Sequence, residues 1–134
     1  DLFVIMLGTN DLKYVDARGS ADGMEGLVRL VRSANERYNL SSPVFPSGGS
    51  NTPVLLISPI LLKEHFGERS DDVSESGRLS GLYEEITEKY ELHFMDAALY
   101  AEPSVIDGIH LDADGHKILG QAIAEIIRDI LKDE

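Results

Sequence analysis

Cysteine is absent from the sequence, and so is tryptophan. Without cysteine the chain cannot form disulfides, use a thiolate nucleophile or bind zinc through sulfur. The compartment stays open, because a domain of this size can fold without disulfides inside or outside the cell. Long apolar runs are also absent, since the longest, residues 2–7, is far short of the roughly 18 residues that a membrane helix needs. We therefore do not expect a membrane partner.

Basic residues are scarce. The 12 lysines and arginines face 24 aspartates and glutamates, and the formal net charge is −12 at pH 7. Affinity for a phosphate backbone comes mostly from lysine and arginine side chains that displace counterions. We therefore do not expect a nucleic acid partner.

The length and the apolar content predict one globular domain over residues 1–134. Domains of soluble proteins commonly contain roughly 100 to 150 residues, so the chain has no room for a second core. Apolar residues make up 43% of the sequence and charged residues 27%, which is close to the average for soluble globular proteins. A homo-oligomer remains open.

Three short apolar stretches predict buried strands at residues 2–7, 54–58 and 92–95. Apolar residues at three- and four-residue spacing predict three amphipathic helices between and after them. The first covers residues 21–38, with Ser20 or Asp22 as its N-cap. The apolar face of the second consists of Leu79, Leu82, Tyr83, Ile86 and Tyr90. The third begins after the cap Asp112, and its apolar face consists of Ile118, Ala122, Ile123, Ile126, Ile127, Ile130 and Leu131.

This alternation of strands and helices indicates an α/β fold, with a parallel sheet covered by helices on both faces. Residues 41–53 are expected to form a surface loop, and residues 63–72 are expected to be irregular. In such sheets ligands bind at the carboxyl ends of the strands. The segments that follow the strands are 8–13, 58–62 and 96–100. Functional residues are therefore expected there and in the loop before the last helix.

Two short motifs occupy these positions. Gly-Thr-Asn-Asp spans residues 8–11, and Asp-Gly-Ile-His spans residues 107–110. An aspartate three residues before a histidine can accept a hydrogen bond from one ring nitrogen and leave the other nitrogen facing a substrate. Asn10 offers an uncharged N–H donor, which suits an oxyanion hole. Asp107, His110 and Asn10 are therefore the candidate catalytic and oxyanion residues.

Through these two motifs the chain resembles the SGNH (GDSL-type) hydrolases, which are esterases and acyltransferases with a flavodoxin-like three-layer α/β/α fold. The motifs stand in the family's order, one after a buried strand and the other before the final helix. Residues 6–13 and 107–110 look most like the arylesterase and acyltransferase branch. The resemblance implies that Asp107 and His110 belong to a catalytic triad, that Asn10 donates to the oxyanion and that no cofactor is needed.

The nucleophile block of that family is missing from the sequence. The resemblance implies a Gly-Asp-Ser motif after an earlier strand and a glycine N–H from a further block, and neither occurs here. Ser47 and Ser50 lie in the predicted loop with no preceding strand, so we assign neither as the nucleophile. The chain also opens on an apolar strand that needs neighbours on both sides. We therefore expect the C-terminal two-thirds of an SGNH hydrolase domain, inactive alone, whose partner is the N-terminal segment of the same protein.

The remaining candidate residues are not expected to take part in catalysis. Asp11 is expected to brace the turn after the first strand, and Gly8 supports the motif. His116 is expected to be a surface or packing residue, and neither His65 nor His93 has a partner that we can name. A cation held by Asp11, Asp107, His110 and His116 is the metal alternative. Since the sequence has no His-x-x-x-His pair or clustered carboxylate motif, we expect no metal.

We expect the intact protein to be a serine ester hydrolase or acyltransferase that acts on a small ester substrate. Residues 59–62 and Phe66, beyond the second strand, are candidates for an apolar wall against the acyl or alcohol group. A carbohydrate or lysophospholipid esterase on the same scaffold is one alternative, which would differ in pocket shape. A non-catalytic flavodoxin-like module that serves as a binding surface is the alternative from a different class.

Overall fold

The computed structural model describes residues 2–34, 52–64 and 70–132. Within these ranges the chain forms three strands and three α-helices. They are β1 (Phe3–Ile5), α1 (Ala17–Arg32), β2 (Val54–Ser58), α2 (Ser70–Tyr90), β3 (His93–Asp96) and α3 (Ala113–Ile130). Single turns of 3-10 helix occur at Asp11–Lys13 and Ala97–Leu99. Several residues discussed above lie outside the described ranges: Ser47, Ser50, His65, Phe66 and most of the loop over 41–53.

The three strands form one parallel sheet in the order β1-β2-β3. Phe3 lies opposite Val54, and Leu56 lies opposite Phe94, so β2 is paired on both sides. The helices α1 and α2 connect successive strands and pack on one face of the sheet, whereas α3 covers the other face. The predicted α/β fold with three layers and a parallel sheet is therefore confirmed.

The central strand β2 organises the hydrophobic core. All five of its residues are buried, and successive side chains point to opposite faces of the sheet. On one face Leu56 packs in a cluster with Val28 of α1 and Tyr83 of α2. On the other face Ile57 packs in a cluster with Leu119 of α3. Since burial of one such aliphatic side chain stabilises a fold by about 1.5 to 3 kcal/mol, this strand holds both helical layers.

The first strand is shorter and more exposed than the sequence predicts. The apolar run over 2–7 predicts a strand buried on both sides, but only Phe3–Ile5 pair with β2. Val4 is 40% exposed and Leu7 is 56% exposed. The physical reason is that no strand lies beside β1 on its far side among the described residues. Within the described ranges that edge therefore has no neighbouring strand and carries exposed apolar side chains.

The N-terminus of α1 differs from the prediction. Asp16 is the N-cap, and its side chain accepts a hydrogen bond from the Gly19 N–H at 2.8 Å. Both predicted caps are wrong, because Ser20 is buried inside the helix and Asp22 lies on its exposed side. Asp16 has the extended backbone that an N-cap requires. The predicted end of this helix, residue 38, lies outside the described ranges.

The later elements lie close to their predicted places. Helix α2 begins at Ser70, inside the segment expected to be irregular, and β3 is displaced by one residue. Asp112 is confirmed as the N-cap of α3, since its side chain accepts from the Gly115 N–H at 2.8 Å. Ile118 was expected on the apolar face but is 50% exposed, and Leu119 is buried instead. The apolar stripe of α3 is wider than the surface it covers, so packing against the sheet decides which residues are buried.

Asp96 connects the carboxyl ends of β2 and β3 to α2. Its Oδ1 accepts hydrogen bonds from Ser58 Oγ and from the Ala98 N–H, each at 3.0 Å. Its Oδ2 accepts from Ser80 Oγ at 2.8 Å. Because buried hydroxyl groups require hydrogen-bond partners, this cluster fixes the edge of the sheet at which ligands are expected.

Replacement of Asp16 by alanine tests the observed start of α1. We expect Asp16→Ala to lower the free energy of unfolding by about 1 kcal/mol, because it removes the N-cap hydrogen bond. Urea denaturation followed by circular dichroism measures this change. Asp22→Ala is the matched control and should cause little loss, because Asp22 is exposed within the helix. Equal losses for the two variants would contradict the assignment of Asp16 as the cap.

Candidate active site

A cavity of about 220 Å³ opens at the carboxyl end of the sheet. Asn10, from the turn after β1, and His110, from the loop before α3, both line it. Pro59 and Ile60 contribute from the segment after β2, and His116 contributes from the first turn of α3. These residues are distant in sequence and meet here because parallel strands all end at this edge.

Asp107 and His110 are joined within one short loop. The Nδ1 atom of His110 lies 2.7 Å from Asp107 Oδ2. Asp107 Oδ1 accepts hydrogen bonds from the backbone N–H groups of Ile109 and His110, each at 2.9 Å. Because an ionised carboxylate can only accept, Nδ1 carries the proton and Nε2 is left as a proton acceptor. The His110 side chain is 78% exposed, so a substrate can approach it.

Gly108 allows this loop to close tightly. Its φ of +68° lies in the left-handed region that favours glycine. A Cβ at this position would collide with the carbonyl group of Lys63. The Lys63 N–H donates to the Gly108 carbonyl at 2.9 Å, and the Gly108 N–H donates to the Ser104 carbonyl at 2.8 Å. The loop is therefore anchored to the segment after β2 as well as to itself, which fixes the orientation of His110.

The hydrogen bonds to Asp107 favour its ionised form. The His110 ring is the largest cause, and the backbone N–H groups of His110 and Ile109 add to it. Together they hold the pKa of Asp107 well below its usual range. The carboxylate therefore stays charged at neutral pH and can stabilise a positive charge on the imidazole.

Asn10 immediately precedes the 3-10 turn Asp11–Lys13. Its backbone is helical, with φ −74° and ψ −21°, and its side chain makes no capping hydrogen bond to that turn. Asn10 is exposed and lines the same cavity as His110. Its amide N–H groups are therefore available to an oxygen of a substrate in the cavity.

Gly8 and Asp11 shape the turn around Asn10. Gly8 has a φ of +125°, which L side chains rarely adopt. The Asp11 N–H donates to the Gly8 carbonyl at 3.0 Å, which closes the turn. The Asp11 carboxylate accepts a hydrogen bond from Ser20 Oγ at 2.9 Å. Asp11 therefore ties the turn to α1.

His116 is the cavity residue that sequence reasoning missed. It is an exposed residue, as expected, and it also lies on the wall of the cavity shared by Asn10 and His110. The available signal was its place in the first turn of a helix that follows the Asp-Gly-Ile-His motif directly. His93, in contrast, is exposed on β3, and the cavity residues do not include it.

The predicted apolar wall over 59–62 is only partly present. Pro59 and Ile60 line the cavity. Leu61 is 45% exposed, and Leu62 is buried in the core beside α1 and α2. Of these four residues, only Pro59 and Ile60 line this cavity.

The described ranges contain no group of three or more His, Asp or Glu side chains arranged to hold a metal ion. Asp11, Asp107, His110 and His116 therefore do not form the alternative cation site. In the same part of the chain, no helix has the length and apolar character needed to cross a bilayer.

The structure pairs no serine hydroxyl with the imidazole of His110 among the side chains it describes. Ser58, at the end of β2, is fully buried and donates to Asp96. Ser20 is buried and donates to Asp11. Among the described residues, therefore, no serine hydroxyl is hydrogen-bonded to the proton acceptor in the cavity.

An apolar groove runs along the free edge of β1. Its volume is about 600 Å³, and its lining includes Val4 of β1 together with Leu27 and Leu30 of α1. An adjoining space of about 430 Å³ extends from Leu7 to Asn10. The exposed edge of the sheet is therefore continuous with the candidate active site.

Esterases are among the solved structures that resemble this chain, whereas no protein-family model and no curated protein matches the sequence. A protein of Agrobacterium tumefaciens str. C58 assigned as an arylesterase is 31% identical with a TM-score of 0.82, over 97% of this chain and 61% of that one. A carbohydrate acetylesterase from Sinorhizobium meliloti is 30% identical with a TM-score of 0.81, over 97% and 61%. The aryl esterase of M. smegmatis is 26% identical with a TM-score of 0.80, over 96% and 60%.

These neighbours confirm the resemblance to the SGNH (GDSL-type) hydrolases that the two motifs predict. This chain shares their α/β fold over nearly its whole length. It spans only about 61% of the length of the first two structures. The chain therefore corresponds to part of the fold that these esterases have.

Replacement of His110 by alanine tests the cause of the low Asp107 pKa. We expect His110→Ala to raise the pKa of Asp107 toward its usual value of 3.8, because the ring is the largest cause of the shift. The two backbone N–H donors remain, so the pKa should stay below that value. NMR titration of the Asp107 carboxyl carbon measures this pKa in the unchanged chain and in His110→Ala. His93→Ala is the control and should leave the Asp107 pKa unchanged.

The same titration has a consequence for stability. Because the folded-state pKa of Asp107 is lowered, its contribution to stability is present above the unfolded pKa and is lost as pH falls through the folded one. In His110→Ala the folded pKa of Asp107 lies nearer the unfolded one, so the acid-induced loss of stability should be smaller and should be complete at a higher pH than in the unchanged chain. An Asp107 pKa that does not respond to His110→Ala would contradict the proposed cause.

Proposed function

We propose that this chain, which has the SGNH hydrolase fold, carries the general base and one oxyanion donor of a serine ester hydrolase acting on small carboxylic esters. The observation that carries the proposal is the single cavity shared by Asn10 and His110, with Asp107 holding the far side of the imidazole. In this proposal the nucleophilic serine lies outside this sequence. The esterase neighbours support the same class of reaction.

The first half of the proposed reaction forms an acyl-enzyme. The serine oxygen attacks the ester carbonyl carbon, and His110 Nε2 takes the hydroxyl proton. Asp107 remains ionised and stabilises the resulting imidazolium. The carbonyl oxygen becomes an oxyanion and accepts an N–H from the Asn10 amide. The bond from carbon to the alcohol oxygen then breaks, and His110 returns its proton to the leaving alcohol.

The second half repeats these steps with water. Water loses a proton to His110 Nε2 and attacks the acyl carbon, and the oxyanion again accepts from Asn10. Cleavage of the acyl bond returns the proton to the serine and releases the carboxylic acid. These steps use the serine, His110, Asp107 and Asn10 in the same roles as the first half. An alcohol in place of water would give acyl transfer by the same steps.

The lining of the cavity supports a short acyl group. Pro59, Ile60 and Ile109 give it an apolar wall, and its volume is about 220 Å³. His116 adds a polar side chain on the same wall. An acetyl ester of a carbohydrate is a second candidate substrate, favoured by the solved neighbours from Sinorhizobium meliloti that are carbohydrate acetylesterases.

The free edge of β1 supports the location of the nucleophile in a further segment of the same protein. That edge has no paired strand among the described residues, and the groove beside it is apolar. A parallel strand added there would pair with the backbone of β1 and bury Val4. Its carboxyl end would lie beside the Leu7 to Asn10 turn, where a serine could reach His110. The greater length of the esterase neighbours supports the same arrangement.

A non-catalytic module that retains only the fold is the competing possibility. The sequence upstream of this chain separates the two. An apolar strand followed by Gly-Asp-Ser favours the hydrolase, and its absence favours the module. The Asp107–His110 hydrogen bond favours the hydrolase, because a binding module has no need of an oriented imidazole.

Hydrolysis of an aryl acetate is the direct test. We expect no activity from this chain alone and clear activity when the upstream segment is restored. In the restored enzyme, Asn10→Ala should lower kcat by about 10²- to 10³-fold, because an oxyanion donor is lost. His110→Ala should lower kcat by about 10²- to 10⁴-fold, because the general base is lost.

The controls distinguish failure of the site from failure of the fold. His93→Ala should leave kcat unchanged, because His93 is exposed on β3 outside the cavity. Strong hydrolysis by this chain alone would contradict an external nucleophile. An unchanged kcat for Asn10→Ala in the restored enzyme would contradict the oxyanion assignment.

A further inference from the structure

The turn that carries Asn10 lies against two buried hydroxyl groups that the reaction does not use. They belong to Tyr83 of α2 and Ser20 of α1, which are 0% and 2% exposed. We propose that Tyr83 and Ser20 are positioning residues that hold the Asn10 amide at the place of the oxyanion. This inference rests on the proposed function, because it assigns the means by which that donor is oriented.

Tyr83 holds the first end of the turn. Its hydroxyl donates to the Leu7 carbonyl at 3.0 Å, directly before Gly8. Burial raises the pKa of Tyr83, so the hydroxyl keeps its proton for this bond. The side chain is packed in the cluster around β2, so its hydroxyl cannot move away without disturbing the core. The end of β1 is thereby fixed to the middle of α2.

Ser20 holds the second end of the turn. Its hydroxyl donates to Asp11 Oδ2 at 2.9 Å, directly after Asn10. The oxygens of Ser20 and Tyr83 lie 3.3 Å apart. Each hydroxyl has one hydrogen, and each hydrogen is already directed to Leu7 or Asp11, so this approach is mainly a packing contact. The hydroxyl groups of Tyr83 and Ser20 therefore lie next to each other, and each holds one end of the turn.

Gly8 shows how closely the turn lies against this hydroxyl pair. A Cβ at Gly8 would collide with the Tyr83 hydroxyl and would lie 3.1 Å from Ser20 Oγ. The turn is also closed by the hydrogen bond from the Asp11 N–H to the Gly8 carbonyl at 3.0 Å. Asn10 lies between Leu7 and Asp11, the two anchored residues, so its backbone has little freedom.

Such anchoring matters because an oxyanion donor acts only at the correct distance. Preorganised donors need no rearrangement when charge develops in the transition state. A displacement of about 1 Å by a distant change can cost on the order of 10²-fold in rate. The Asn10 side chain is exposed and makes no capping bond to the turn that follows it. Its position in the cavity therefore depends on the backbone that Tyr83 and Ser20 hold.

Tyr83→Phe removes one hydroxyl and retains the packed ring, so it tests the proposal in the full-length enzyme. We expect kcat for ester hydrolysis to fall by about 10- to 100-fold with little change in KM, because the donor is displaced mainly in the transition state. Tyr90→Phe is the matched control on the same helix. It removes a hydrogen bond to Glu25 on the α1 side and should leave kcat unchanged.

The Asn10→Ala background separates positioning from general stabilisation. If Tyr83 acts through Asn10, Tyr83→Phe should cause no further loss of kcat in that background. An equal loss of kcat from Tyr83→Phe in both backgrounds would overturn the proposal. A Tyr83→Phe enzyme with a lowered melting temperature but an unchanged kcat would also overturn it. Ser20→Ala, which cuts the other anchor, provides the same comparison if Tyr83→Phe does not fold.

Amide hydrogen exchange in this chain gives a readout that needs no activity. We expect Tyr83→Phe to speed exchange of the Asp11 N–H by about tenfold or more, because the turn opens locally. Tyr90→Phe should not change it. Unchanged exchange in Tyr83→Phe would overturn the anchoring itself. If Tyr83→Phe speeds exchange but Asn10→Ala leaves kcat of the full-length enzyme unchanged, the anchoring is correct and the proposed function is wrong.

Discussion

The parallel pairing of β1, β2 and β3 is the constraint on which the candidate site depends. Because the strands run in one direction, the segments that follow them open at one edge of the sheet. The buried strand β2 fixes that edge by holding helices on both faces. Asn10 and His110 reach a common cavity for this reason, although they belong to opposite ends of the chain.

The two halves of the site are built by different means. Asp107 and His110 are joined by hydrogen bonds inside a four-residue motif, so their arrangement could be predicted from the sequence. The turn that carries Asn10 is held by contacts with Tyr83 and Ser20, which lie on separate helices. No local pattern reports such long-range contacts, so the sequence pointed to Asn10 as a candidate without indicating which residues hold its turn.

The same distinction explains the other agreements and errors. The α/β fold class could be predicted because each strand and helix was identified from its hydrophobic periodicity, which is a local signal. The cap Asp112 was predicted directly before the last helix, whereas at the first helix the predicted caps Ser20 and Asp22 lie inside the helix that Asp16 caps. The exposure of Ile118 depends on which side of α3 meets the sheet, and the exposure of β1 depends on what lies beside it. Neither is a local property.

The central claim is that Asn10 and His110 act on one ester carbonyl delivered to a serine from a further segment. The most direct measurement is a crystal structure of the full-length protein after reaction with an aryl phosphonate. We expect phosphorus bonded to a serine upstream of this chain, its oxygen within hydrogen-bonding distance of the Asn10 amide, and His110 Nε2 beside the serine oxygen. Phosphorus on a serine within this chain, or an oxygen directed away from Asn10, would contradict the claim.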